Sequence, residues 1–172
     1  MTTTKGGAFP SYTKELEANF HHILKGCRNN KRTSQNQLYK LYYSYGMSIC
    51  FRYVNDKEEA QFIFNNAFLK IFENIHKYDH KLDFKPWFKT RMANTAINHI
   101  KKMNKFKVET SNDSIANIPT KEDILSKLSF DELVATIQSL SVSYRTVFNM
   151  YVLDGFKYEE IAKKTWNFYW YI

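Results

Sequence analysis

The sequence has no apolar run approaching the roughly 20 residues that a membrane-spanning helix requires. Its first residues, MTTTKGGAFPSYTKELE, carry neither the apolar stretch nor the small-residue cleavage site of a secretory leader. Both absences predict a chain that does not insert into a membrane. Cysteine is scarce: Cys27 and Cys50 form neither a disulfide framework nor a metal-ligand spacing, and they read as semi-buried thiols in a reducing cytoplasm. There is no glycine-rich phosphate loop, no nucleophile elbow, and no carboxylate cluster beside the basic residues to hold a catalytic magnesium ion. Glu58 and Glu59, like Glu159 and Glu160, are sequence neighbours and face apart on a helix. The same holds for His21 and His22. His76 and His80 are four apart, but no acid completes a set. These absences argue against an enzyme, a cofactor and a metal site, and no internal repeat is present.

What the chain does have is positive charge, concentrated in one place. The net charge is +8 over 172 residues, a length suited to one domain or two small ones. Between Lys77 and Lys107 nine cations face two acids, Asp79 and Asp83, so +7 of the +8 lies there. Within it, Asp83–Lys105 (DFKPWFKTRMANTAINHIKKMNK) has the spacing of a single helix. At about 100° per residue, Phe88, Met92, Ala93, Ala96, Ile97, Ile100 and Met103 share one arc, which predicts a buried stripe. Arg91, Asn94, Asn98, Lys101, Lys102 and Lys105 share the other. Cations and amides on one face are the groups that hold phosphates and read base edges. Trp87 projects onto this polar side, where it can stack on a base or lock the helix onto its neighbours.

Periodicity predicts an all-α chain. A frayed start leads into a helix over Tyr12–Lys25, with Gly26 as its stop. Ser34 then caps a largely buried helix to Val54, with Leu38, Leu41, Tyr42, Tyr45 and Ile49 at helical spacing. Asp56, with Glu59 three residues on, reads as a capping box for a third helix over Lys57–Tyr78. That helix is apolar all round, which suits either the centre of a bundle or a face covered by a partner. His76–Asp83 is a polar loop, and Asp83 caps the basic helix, with Pro86 tolerated in its first turn. After residues 106–119, a polar linker, helices are expected over Thr120–Leu140 (with a break near Ser129), Ser141–Leu153 and from Lys157 onward.

Two stretches resemble bacterial RNA polymerase sigma factors of the extracytoplasmic-function (ECF) group. In EEAQFIFNNAFLKIFENIHKYDHKLDFKPWFKTRMANTAINHIKK, the residues Ala60, Phe68, Leu69, Phe72, Phe84, Trp87, Phe88, Ala93, Asn94, Ile97, Ile100 and Lys101 fit that family's promoter-melting module, including its FxxWLxxIAxNxxxDxxR pattern. In SLSVSYRTVFNMYVLDGFKYEEIAKK, Leu140, Arg145, Val147, Phe148, Gly155, Tyr158, Glu159, Glu160, Ile161 and Ala162 fit the start of its second module. The resemblance implies a four-helix first module over 12–105 and a helix-turn-helix module beginning at 120–164. It implies that the third helix binds the polymerase clamp, here through Glu58, Glu59, Gln61, Phe62, Asn65, Asn66 and Phe68. The fourth helix and the loop before it would read and open the −10 element. The DNA-binding residues so implied are Lys77, Tyr78, His80, Lys81, Trp87, Arg91, Asn94, Asn98, Lys101, Lys102 and Lys105.

Three departures qualify the match. The acids expected after Ala60 are Gln61 and Phe62, and the family's acid in the fourth helix is Asn98. Past Lys164, where a leucine-glycine turn and a recognition helix are expected, residues 165–172 (TWNFYWYI) read instead as an aberrant aromatic tail that leaves the helix-turn-helix incomplete. The expected function is promoter recognition and DNA opening with core RNA polymerase, with an anti-sigma factor as a further partner and the cytoplasm as location. The alternative is a polymerase- or anti-sigma-binding protein that no longer recognises promoters.

Overall fold

A computed structural model describes residues 9–110 and 130–165. Among them the secondary structure is helical: α1 (Phe9–Arg28), α2 (Arg32–Tyr53), α3 (Lys57–Asn74), a 3-10 turn (Ile75–Lys77), α4 (Phe84–Thr110), α5 (Phe130–Ser139), α6 (Val142–Phe148), a π turn (Asn149–Leu153) and α7 (Tyr158–Thr165). The all-α expectation holds. Among the described residues no helix is long and apolar enough to cross a membrane.

The first four helices pack around aromatic rings. Phe68 on α3, Phe88 on α4 and Tyr42 on α2 meet at centroid distances of 5.4 Å (Phe68–Phe88) and 4.7 Å (Tyr42–Phe88). Burying side chains of this size supplies about 1.5–3 kcal/mol each in transfer terms, which is why the core can be built with few aliphatic residues. Gly46 on α2 makes the close approach feasible. A Cβ there would collide with the Phe64 ring and meet Phe88 Cζ at 3.1 Å.

Several local expectations are corrected by tertiary contacts. Gly26 does not stop α1, which runs on to Arg28. It lies against the Ser34 hydroxyl, in a space a side chain would fill. Ser34 is not a cap but a buried residue of the first turn of α2, whose N-cap is Lys31. Leu41, expected in the core, is 60 % exposed. Asp56 does cap α3, its Oδ1 accepting from Glu59 N–H at 2.7 Å, but the Glu59 side chain turns to α4 instead of closing the box. α4 continues to Thr110, into the segment expected to be linker. The expected helix start at Thr120 and the break near Ser129 lie outside the described residues. So does the tail, apart from Thr165, which is buried and closes α7 with its hydroxyl donating to Ile161 O at 2.7 Å.

The second group of helices packs on the C-terminal half of α2. Met150, Phe156 and Ile161 are buried in the same core cluster as the first group. A buried ion pair, Arg52 Nη2 to Asp154 Oδ1 at 3.0 Å, joins the two, and Tyr53 Oη donates to the other carboxylate oxygen at 2.6 Å.

Candidate nucleic-acid interface

α4 carries the site because its two sides have different fates. Phe88, Met92, Ala93, Ala96, Ile97 and Ile100 are all buried, as the projection required, whereas Met103 is 42 % exposed. With one side anchored, the opposite side is fixed in orientation. Arg91, Asn94 and Lys101 are half-buried there, and Asn98 and Lys102 are exposed. The side chain of Lys105 lies outside the described residues. Burial pushes the Lys101 ammonium below its ordinary pKa, with a further lowering from the neighbouring Lys164.

Trp87 is not the exposed ring that helical projection suggests. It is half-buried, 5.4 Å from Tyr78 and 5.6 Å from Phe84, with the Arg91 guanidinium over its ring at 5.1 Å. The loop before α4 folds back under the indole, which a projection of one helix cannot reveal. That loop is itself held in shape. Tyr78 is buried, not at the surface as expected, and its hydroxyl donates to Leu82 O. Arg28 Nη2 donates to Tyr78 O at 2.6 Å, and Lys81 N–H donates to Asp79 Oδ1 at 3.0 Å. Lys77, His80 and Lys81 remain exposed on this frame. The structure thus brings the loop cations and the α4 stripe onto adjoining surfaces, with Trp87 and Tyr78 as the packing between them.

The third helix presents a second surface. Phe62 and Leu69 are 57 % and 58 % exposed, and Glu58 is exposed. Leu69 was missed as a surface residue, although the all-round apolarity of α3 was the signal. Gln61 and Asn65 are tied to α2: Tyr43 Oη donates to Gln61 Oε1 at 2.8 Å, and Tyr39 Oη and Gln61 Nε2 both donate to Asn65 Oδ1 at 3.0 and 3.1 Å. Asn66 is half-buried, and Phe68 is buried in the core, not on the partner-facing side. The mix of exposed apolar side chains and tethered amides resembles a protein-binding face more than a solvated one.

Among the described residues no three His, Cys, Asp or Glu side chains cluster to hold a metal ion. Both cysteines are fully buried, and desolvation pushes their thiols up to about 11 for Cys27 and about 12 for Cys50.

Residues 38–106 match the family model for sigma-70 region 2, and residues 130–165 match that for sigma-70 region 4. The two matches together take in more than half of the chain. The chain thus carries matches to two regions of sigma-70 factors, in the order region 2 then region 4. No curated protein matches it. Region 2 runs from Leu38 on α2 through most of α4, so the anchored helix, its polar stripe and the loop before it all fall inside that match. Region 4 spans α5, α6, the π turn and α7. A sigma-70 protein binds promoter DNA and acts with core RNA polymerase in transcription initiation, and its families are not enzyme families.

Proposed function

We propose that this chain is an ECF-type sigma factor whose sequence preference is exerted chiefly through α4. The observation that carries this reading is the two-sidedness of α4 within the region 2 match: an apolar side anchored by burial and a cation-and-amide side held opposite. Arg91, Lys101 and Lys102 would neutralise phosphates, and Asn94 and Asn98 would meet base edges. The exposed cations Lys77, His80 and Lys81 would engage the displaced strand, with Trp87 and Tyr78 holding the loop in place. Extruding a base costs a few kcal/mol of stacking, and contacts on this surface would offset it.

The polymerase would be met by α3, through exposed Phe62 and Leu69 with Glu58 at the helix start. An anti-sigma factor, if one regulates the chain, would compete for one of these two faces. The protein would act in the cytoplasm by binding alone, with no chemical step of its own.

The test is reconstitution. Purified chain is added to core RNA polymerase and challenged with a randomised duplex library, and bound DNA is sequenced after competitor challenge. Recurrent enrichment of a −10-type element, absent with core polymerase alone, is expected. No enrichment over core polymerase would overturn the proposal.

A further inference from the structure

We propose that the α1–α2 corner carries a second phosphate track, made by Lys25, Lys31 and Arg32 beside Arg28, along which the displaced DNA strand continues past the loop before α4. This rests on the reading of that loop given above and extends it to a part of the chain ahead of residue 38, outside the region 2 match. The net charge conceals this second basic stretch, because acids elsewhere offset it. Between Glu17 and Asp56 the chain has no acidic residue and six Lys or Arg, four of them within Lys25–Arg32. All four are exposed.

Tertiary contacts set the corner against the DNA-facing loop. Arg28 Nη2 donates to Tyr78 O at 2.6 Å, and the His21 and His80 rings meet edge to face at 5.8 Å. Tyr78 in turn packs on Trp87 of α4 at 5.4 Å, so α4, the loop and the corner join in one basic surface. The corner is a fixed frame for its cations. Lys31 N–H donates to Gly26 O at 2.9 Å across the end of α1, and Asn30 takes up the left-handed backbone there, at φ 54°.

Two features decide what kind of partner fits. Lys31 is the N-cap of α2 and Arg32 its first residue, with no acid in that turn and no side-chain cap. Positive charge at a helix N-terminus opposes the macrodipole, so these cations are not there to hold the helix. Among the described residues, no exposed large apolar side chain lies before Leu41. Protein interfaces are built round an apolar centre, whereas a nucleic-acid strand is held by cations spaced along its phosphates. Continuity with Lys77 and Lys81 on the loop selects the strand.

The experiment uses the full chain. Binding of a fluorescein-labelled oligothymidylate is followed by anisotropy over a series of salt concentrations. In the variant Lys25→Ala, Lys31→Ala, Arg32→Ala, the slope of log affinity against log salt is expected to become shallower by about 2, since each phosphate contact to a single strand contributes about 0.7. A matched variant, Lys40→Ala, Lys57→Ala, Lys70→Ala, removes the same charge from exposed positions outside the corner and is expected to keep the parent slope. Urea midpoints of both variants check that they fold. Should the corner variant fail to fold, Lys31→Ala alone decides, with an expected change of about 0.7.

An equal change of slope in the two variants would mark an effect of net charge and overturn the track. An unchanged slope in the corner variant would overturn it too. Weaker binding of that variant to core RNA polymerase, at an unchanged strand slope, would make the corner a protein contact instead. Enrichment of a −10-type element by the parent with core polymerase, together with an unchanged slope, removes the track and spares the reading of α4 and its loop. No enrichment removes both.

Discussion

His99 Nε2 on α4 lies 2.9 Å from Glu59 Oε1 at the start of α3, with the Phe62 ring 5.5 Å from the imidazole. The contact fastens the helix of the exposed apolar face to the helix of the polar stripe, and both partners are partly open to solvent, at 17 % and 35 % side-chain exposure. Glu59→Ala is therefore expected to cost only about 0.5–1 kcal/mol. A double-mutant cycle with His99→Ala, read by urea unfolding, should recover a coupling energy in that range. A coupling of zero would mean that the contact is incidental.

Gly46→Ala should be far more harmful. The added methyl meets Phe64, which is itself wedged between Tyr39, Tyr43 and Phe68 and cannot swing away. Overpacking of a filled core costs about 1–3 kcal/mol. The loss would be read as a lower urea midpoint at unchanged slope.

Trp87→Ala should act on stability and on DNA opening together. Truncating a fully buried aromatic to Ala costs about 3–5 kcal/mol, so loss of the half-buried indole is expected to cost about 2 kcal/mol. Removing the indole also takes away the support under Tyr78 and the loop cations. With polymerase present, permanganate reactivity of promoter thymines should fall by more than closed-complex binding does. Equal reactivity in parent and variant would confine Trp87 to packing.

Lys101→Ala with Lys102→Ala removes two cations from the stripe. The slope of log affinity against log salt should become shallower by about 1–2, since each phosphate contact to duplex DNA contributes about 0.9. Competition titrations from low to moderate salt would measure it.

Alkali should unfold the protein through its thiols and buried phenols. Burial pushes the Cys27 thiol up to about 11, and the Cys50 thiol and Tyr42 phenol up to about 12, from ordinary values of 9.0 for a thiol and 10.0 for a phenol. The folded state therefore holds its protons more tightly. The stability this confers is complete below pH 9 and is lost as pH rises from there through 11 to 12. Cys50→Ala should flatten the alkaline limb of a stability–pH curve measured by chemical denaturation. Native-state alkylation of both thiols at neutral pH should be slow, and it should accelerate on unfolding.

The helices and the anchored side of α4 were legible in the sequence because both are governed by local spacing. Phe88 to Ile100 repeat at helical intervals, and Asp56 needs only Glu59 N–H, three residues on, to act as a cap. What escaped depends on neighbours distant in the chain. Gly26 is a glycine because Ser34 crosses it, not because a helix ends there. Tyr78 and Phe68 carry surface roles by pattern yet are buried by packing. Trp87 was placed by a projection that omits the loop beneath it. The docking of α7 on α4 joins residues 70 apart, and no periodicity encodes it.

The bond between Lys164 and Asn94 also bears on how such a chain can change over generations. If Asn94 meets a base edge as proposed, a substitution there would alter base preference and, in the same step, remove the bond by which Lys164 ties the two halves of the molecule together. Asn98, one turn along and exposed, carries no such double burden. New promoter preferences should therefore arise by replacement of Asn98, with Asn94 and Lys164 exchanged only as a pair.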